Sequence, residues 1–595
     1  MSRSARPLCA FVALIVFASS VIGETPDRPD LQKQNEEAAL RQKGALAILE
    51  QALSNARNLK LPQNRITVDT EILQLLWGRD EARTNGLLNQ IVSEFAQASS
   101  KHPGNSDAPN RLASLRQQRQ QLVQFLGSAD PQAALRFLGA TRPYVRTESG
   151  VQEEAEERQI QLNLAAQEAS HDPRLALQIA EKMLEESNDL PFELLNVLST
   201  LADKDKTAAT RLLRDVVARL QRNDLTSDRQ NFTFAVNLFN MRASNPPEQD
   251  GSTEAEGSGK EMEVLRPLAE AVAAAILSPA FPNEMMPNAE PYLPALAKFV
   301  PSQAQSLQEK LAEYRQTVNP AQKSWDEFNQ AQQNGSAEQL LGIAKQAPPD
   351  VSDSMYQQIA SKLASEGDYA RSRQVAEEDI SDPAARNQVE QQGLQQAAAA
   401  ALQKGQLALA RQLIDGVTPE QARAVALVQL AVQAANVKKE SFALDLLTEA
   451  DSLLRERPQN AEEFSGEMQL VEAFARCRPT HAVQLLDRSA KQVNQVLAAA
   501  AQVDGFVPTQ ASFEQGELVV SNSFLVNSLI QQYARAAASL ADHDLETARN
   551  MADRIARPEA RLMAEIAVAR TVLNGNSGRV AYFRWGRQVT AFIQE

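Results

Sequence analysis

Along much of the chain, hydrophobic positions recur in a fixed triplet: one anchor residue, then apolar residues three and four positions later. That spacing marks one face of a helix. Two consecutive phrases show it best. In "EGDYARSRQVAEEDISDPAARNQV" (366–389) the anchor Ser372 precedes Val375 and Ala376. In "KGQLALARQLIDGVTPEQARAVAL" (404–427) the anchor Ala410 precedes Leu413 and Ile414. The same triplet opens at Thr84, Ala134, Ala176, Ala209, Leu340, Ala443, Ala482 and Ala548. The first two steps, from Thr84 to Ala176, are wider than those that follow, and the gap from Ala482 to Ala548 is two units wide. Apart from the long interval between Ala209 and Leu340, the other steps fall close to a period of about 33–40 residues, that of a paired-helix repeat.

Polar residues punctuate the same units. Asp-Pro, His-Asp or Gly precedes many of the triplets, as at a helix start or a turn between helices. Downstream, "SDPAAR", "TPEQAR" and "RPEAR" end at Arg386, Arg423 and Arg561, in nearly the same phase after the anchors Ser372, Ala410 and Ala548. Pro in these phrases suits the first turn of the next helix, where its missing N–H costs nothing. Each unit therefore reads as helix, turn, helix. The small anchors let two backbones approach, and the branched neighbours fill the space between units. Arg386, Arg423 and Arg561 have two readings: a repeated salt bridge to a neighbouring unit, or a basic ladder forming a binding face.

The pattern over 363–386, "LASEGDYARSRQVAEEDISDPAAR", resembles the tetratricopeptide-like class of bacterial α-solenoids, with weaker copies over 84–209 and 340–556. The Trp, Leu-Gly and Tyr positions of that repeat's first helix are not regularly present. The resemblance implies an all-α, right-handed superhelix of antiparallel helix hairpins with a tendency to bind proteins or peptides. It assigns no ligand-contact residues.

The array has breaks. Residues 243–263 are rich in Pro, Gly, Ser and Glu and read as a disordered linker. Residues 278–301 hold six prolines among large apolar groups, so they cannot form one continuous helix. They fit an ordered excursion packed on the array. Residues 504–523 fall where an anchor near 515 is due, so a loop replaces or interrupts that unit. Residues 574–595 carry Arg584, Trp585 and Arg587 within a basic-aromatic cluster, which reads as a cap on the last repeat or as a docking tail. The expected organisation is a cleaved signal peptide (1–23), a flexible tail (24–37), helical repeats (38–242), the linker (243–263), a helical segment with the Pro-rich excursion (264–325), further repeats (326–573) and the tail (574–595).

Composition agrees with helix. Aromatic residues are 5% of the chain and Gly only 23 of 595, while Ala, Leu, Gln, Glu and Arg favour helix. At the N-terminus, Arg3 and Arg6 precede the apolar run 8–18 and then small residues, the pattern of an export signal. Eleven apolar residues fall short of the roughly 20 needed to span a bilayer, so no stable membrane insertion is expected after cleavage. Cys9 at the start of the run is misplaced for lipidation. Removing two Arg and no acid with 1–23 takes the net charge from −15 to −17, which opposes nucleic-acid binding. Cys477 then remains alone, so no internal disulfide is expected.

Motifs for chemistry are missing from the sequence. His102, His171, His481 and His543 have no HExxH or HxH spacing, and Cys477 has no CxxC partner. "GSGK" (257–260) lacks the first Gly, the Ser or Thr and the preceding strand of a phosphate loop. Trp77 and Trp325 read as packing between helices. The expectation is an exported, periplasmic or extracellular protein without cofactor, acting as a non-catalytic scaffold for an unknown protein or peptide. The alternatives are a self-assembling envelope component, or a carbohydrate-active helical enzyme that would need two carboxylates converging in one pocket.

Overall fold

The computed structural model describes residues 28–574 except 101–107, 146–150, 187–189, 224, 227, 244–254, 318–319, 507–511 and 521–523. Among the described residues the structure is all-α but for one small hairpin, in which Phe513–Glu514 pairs antiparallel with Glu517–Leu518. The segment read as a signal (1–23), most of the one read as a linker and the tail after Asn574 lie outside the described residues.

Among the described residues, ten pairs of consecutive helices each carry one anchor in the second helix. Before the excursion the pairs are Pro62–Leu76 with Glu81–Ser100, Ala108–Ala129 with Pro131–Thr141, Val151–Glu168 with Pro173–Glu186, and Glu193–Lys204 with Lys206–Leu220. After it come Pro320–Asn334 with Ala337–Ala344, Pro349–Glu366 with Tyr369–Asp379, and Pro383–Gln403 with Leu407–Asp415. The last three are Glu420–Asn436 with Glu440–Leu453, Ala461–Cys477 with Pro479–Val503, and Phe524–Ala538 with Leu545–Ala552. All ten anchors are buried, none more than 4% exposed.

The anchor has one backbone job throughout. Its N–H makes the first i→i−4 bond of the second helix, at 2.9–3.3 Å, to the residue that caps it. Asp80, Asp130, Asp172, Asp205, Ser336, Asp368 and Asp544 are seven of those caps, and each side chain accepts from an N–H of the first turn. Such caps satisfy donors that the helix leaves open. Gly367 (φ +91°) and Gly405 (φ +76°), each five positions before its anchor, take the left-handed turn that ends the first helix. Lys438 (φ +60°) does the same before Ala443 without glycine's freedom.

Successive pairs stack on one another within 62–220 and again within 320–552. The Pro-rich stretch 278–301 breaks into short helical turns whose Phe281, Met285, Met286, Leu293, Leu296 and Val300 join the core of the 162–307 region. Two stretches differ from expectation. The helix Arg28–Ala56 begins inside the segment read as a flexible tail, and Ala255–Leu277 begins inside the segment read as linker. Both helices are held further on by buried residues (Ala45, Ile48 and Leu49; Leu265, Leu268 and Val272). Once nucleated, a helix adds residues cheaply, so the polar lead-in is carried along.

The array does not end in a free face. Pro558–Asn574 is the first helix of an eleventh pair, and its partner is the first described helix, Arg28–Ala56. The match extends to sequence. Ala52, Leu59, Pro62 and Arg65 keep the same spacing as Ala548, Ile555, Pro558 and Arg561. The array therefore closes into a ring. The longest-range side-chain hydrogen bonds run across this seam, at sequence separations of 451–501.

Ala443→Leu and Ala548→Leu should each place a large side chain where two backbones meet. Each should cost about 1–3 kcal/mol, seen as a lower melting temperature with the far-UV helical signal intact below the transition.

Candidate functional site

The seam is where sequence-distant residues converge. Ala45, Ile48, Leu49, Ala52 and Ala56 of the first helix share one apolar core with Leu562, Ile566, Ala569 and Leu573. Polar contacts flank that core. Arg79 Nη2 donates to the Leu573 carbonyl (2.9 Å), Arg549 to Gln51 (2.6 Å) and Arg41 to the Asp542 carbonyl (3.0 Å), and Arg570 pairs with Glu71.

The hairpin at 513–518 occupies the place of the missing unit and reaches across the seam. Gln515 (φ +53°) and Gly516 (φ +81°) form its two-residue turn, both left-handed as the tight hairpin requires. On one side, Glu517 Oε2 accepts from the backbone N–H groups of Lys60 (2.8 Å) and Leu61 (2.9 Å), at the N-terminus of the Pro62–Leu76 helix. A carboxylate is favourable there because the helix dipole and open donors point at it. Asn64 donates to the Leu518 carbonyl (2.7 Å) and accepts from Val520 N (3.0 Å), acting as a substitute strand. Gln63 donates to Glu514 (2.8 Å). On the other side, Glu559 accepts from Leu518 N (2.8 Å), while Arg557 donates to the Gly516 carbonyl (3.2 Å) and lies over the Phe513 ring. Burial pushes the Glu517 carboxyl up, Glu559 adds to that, and the two backbone donors oppose it.

Buried acids gather around the same helix. Asp69 is 1% exposed, and its Oδ2 has no hydrogen-bond partner. Burial first, and Glu94 second, raise its carboxyl to about 7, against the pull of Arg65 and Arg57. Arg65 instead pairs with Glu94 at 2.6 Å. With so little exposure, Asp69 offers no approach to a substrate.

The recurring arginines act on turns. Arg386 Nη2 donates to the Ile380 carbonyl (2.8 Å), Arg561 Nε to Ile555 (2.9 Å) and Arg65 Nη1 to Leu59 (2.6 Å), always six positions back. Arg423 stands six after buried Val417, and its own Nε is buried without a partner. For Arg386 and Arg561 a carbonyl of the preceding turn, rather than an acid of a neighbouring unit, takes the guanidinium, because the turn leaves that oxygen outside any helix ladder; Arg65 makes the same bond and also pairs with Glu94. Arg386, Arg423 and Arg561 are half-buried, which does not make an open basic ladder. Arg65 was missed because its unit is split between the two ends of the described chain.

Other singled-out residues pack. Trp77 meets Phe125 edge-on (5.9 Å) and Trp325 meets Phe328 (5.7 Å). His481 bonds Asp451 (2.9 Å) and stands against Phe474, and the His171 ring bonds Ser170 (2.9 Å). Burial raises the Cys477 thiol, which does not favour reactivity. Arg584, Trp585, Arg587 and His102 lie outside the described residues. The face of Pro558–Asn574 that a cap would cover is taken by Arg28–Ala56.

Two surface cavities bear on function. One, of about 460 Å³, is lined by Val483, Thr547, Asn550, Met551, Asp553 and Arg554. Behind it Glu565 is buried and hydrogen-bonds Asp553; burial and that neighbour raise its carboxyl. The second, of about 850 Å³, is a polar groove on the Pro320–Asn334 and Ala337–Ala344 pair, lined in part by Lys323, Glu327, Gln330, Gln339 and Gln346. Among the described residues, no three His, Cys, Asp or Glu side chains are grouped to hold a metal ion, and no helix is long and apolar enough to cross a membrane.

No family model and no curated protein matches the chain. Among solved structures it is similar to a "circular tandem repeat protein with novel repeat topology and enhanced subunit contact surfaces". The identity is 13%, over 92% of this chain and all of that one, with a TM-score of 0.16. A score that low does not superpose the two folds, so the ring described above rests on the seam contacts.

Asp69→Asn should remove a pH dependence. The unfolded Asp ionises near 3.8 and the folded one near 7, so the folded state holds the extra proton. Stability contributed by Asp69 is full below about 4 and is lost as pH rises towards 7. The variant should gain melting temperature over wild type at pH 8 and little at pH 4. Arg561→Ala should cost about 1–3 kcal/mol by stranding two carbonyls, and Arg561→Lys should recover only part of it in denaturant titrations.

Proposed function

We propose that this chain is an exported, non-catalytic scaffold that presents the faces of a helical-repeat ring to a protein or peptide. In this reading the units are antiparallel, tetratricopeptide-like hairpins with a right-handed superhelical sense. The apolar run at 8–18 with its basic lead supports export to the periplasm or extracellular space, without cofactor and without nucleic acid as a partner. The 850 Å³ groove at Lys323, Glu327 and the three glutamines offers amide and charged groups to a polar peptide segment. Several weak contacts along such a face can sum to useful affinity. Arg584, Trp585 and Arg587 supply the aromatic and basic groups of a docking tail.

One observation carries the non-catalytic part. The enzyme alternative needs two carboxylates facing a substrate bond, roughly 5–9.5 Å apart. At the cavity where two acids do come together, Asp553 and Glu565 are hydrogen-bonded to each other and Glu565 is 3% exposed. Two carboxyls in direct contact leave no room for a glycosidic oxygen between them. Closure also weighs against the self-assembling alternative, because the faces through which an open array would polymerise cover one another.

Affinity capture from the native cell envelope should recover a defined protein partner whose binding falls when Lys323, Gln330 and Gln339 are replaced together by Ala. Light scattering should give a monomer. Hydrolysis of an envelope glycan by the purified chain, abolished by Asp553→Asn, would overturn the reading.

A further inference from the structure

The two helices of a pair expose different chemistry. The successive first helices Pro383–Gln403, Glu420–Asn436, Ala461–Cys477 and Phe524–Ala538 pack side by side. Each also packs on its own second helix, so its open face points away from the second helices. Between first and last turns, the exposed side chains described on that face are Asn387, Gln388, Gln392, Gln429, Gln469 and Gln531. All are amides. Glu390 and Glu472 on the same helices are half-buried, and Arg476 and Arg535 stand in last turns.

The second helices are charged instead. The ion pairs Arg373–Glu377, Arg411–Asp415 and Lys491–Asp487 run along them. Gln, Glu, Lys and Arg form helix about equally well, so propensity does not explain why charge is sorted to one wall.

What an amide side chain does with non-helical main chain is visible twice in this molecule. Asn64 donates to the Leu518 carbonyl and accepts from Val520 N. Asn494 donates to the Arg554 carbonyl (2.8 Å) and accepts from Ala556 N (2.8 Å). Both read a carbonyl and the N–H two residues further on. An amide suits this because it carries a donor and an acceptor without charge.

We propose that this amide wall binds an extended, uncharged polar segment of a partner polypeptide by its main chain. A charged segment would lose hydration there with no ion to meet it, and an apolar one would strip water from the amides without replacing its bonds. Neighbouring helix axes stand about 8–10 Å apart and an extended chain advances about 3.3 Å per residue, so a segment crossing the helices reaches a new one about every three residues. The assignment rests on the scaffold reading and gives it a surface separate from the groove at Lys323.

The test pans a display library of random twelve-residue peptides on the full chain. Selected peptides should be poor in charge and should bind equally well at low and high salt. Gln392→Ala, Gln429→Ala, Gln469→Ala and Gln531→Ala together should weaken them at least about tenfold. The melting temperature should hold, because Ala favours helix. N-methylation of a selected peptide's main chain should weaken it comparably, which recognition by side chains alone would not produce. Peptides indifferent to the quadruple variant but lost on replacing Lys323, Gln330 and Gln339 would overturn the wall and leave the scaffold reading standing. Selection of no peptide would overturn the wall too, while envelope capture tests the scaffold separately. Cellohexaose binding to wild type and not to the quadruple variant, with no peptide doing so, would make the wall a glycan surface and sink the proposal.

Discussion

The packing of Arg28–Ala56 on Pro558–Asn574 is the contact on which the rest of the molecule depends. Helical pairs of this kind cannot bury their apolar faces alone, so each relies on a neighbour. In an open array the two outermost pairs lack one. Here the first and last described helices serve as each other's neighbour, with the small residue, the turn and the arginine spaced as in the interior pairs. Every pair is then covered on the seam side, and no terminal face needs a polar cap.

Closure also explains where polar groups are spent. The seam has no peptide bond to keep its two sides in register, and side chains substitute for one. Asn64 reads the edge of the hairpin as a strand would, and Glu517 accepts two donors at the mouth of a helix. Burial raises the carboxyls of Glu517 in the hairpin and of Asp69 in the helix that Glu517 caps, which makes the joint less secure at high pH than an all-apolar one. Interior joints rely on Asp caps at the surface and Ala or Leu within.

Much of the unit was legible in the sequence because its constraints are local. A small anchor, its partners three and four positions on, and a capping Asp four positions before all lie within one turn or two of helix. The ten anchors therefore mark the ten pairs, and the gap near residue 515 marks the hairpin. The closing pair was not legible. Its anchor, Ala52, is followed by Asn55 and Ala56 instead of two large apolar groups, and its partner helix lies at the opposite end of the described chain. The arginines were visible as a recurrence but misread in kind. The partner of Arg386 and of Arg561 is a carbonyl six positions back, which leaves no acidic residue in the sequence to find. The polar groove at Lys323 to Gln346 gave no signal either, since Gln and Glu on helices look alike whether they face solvent or a cavity.

A closed ring must satisfy a counting rule that an open array escapes. Gaining or losing one pair would leave the first and last helices facing each other across a gap or an overlap of one unit's width. The lineage of such a chain cannot therefore lengthen by duplicating single units, as linear arrays do. Adjustment has to come from within units, by changing how far each turns the next. The uneven steps between anchors, the broken helices of 278–301 and the hairpin standing in for a unit are adjustments of that kind, and together they let the array return to its starting point.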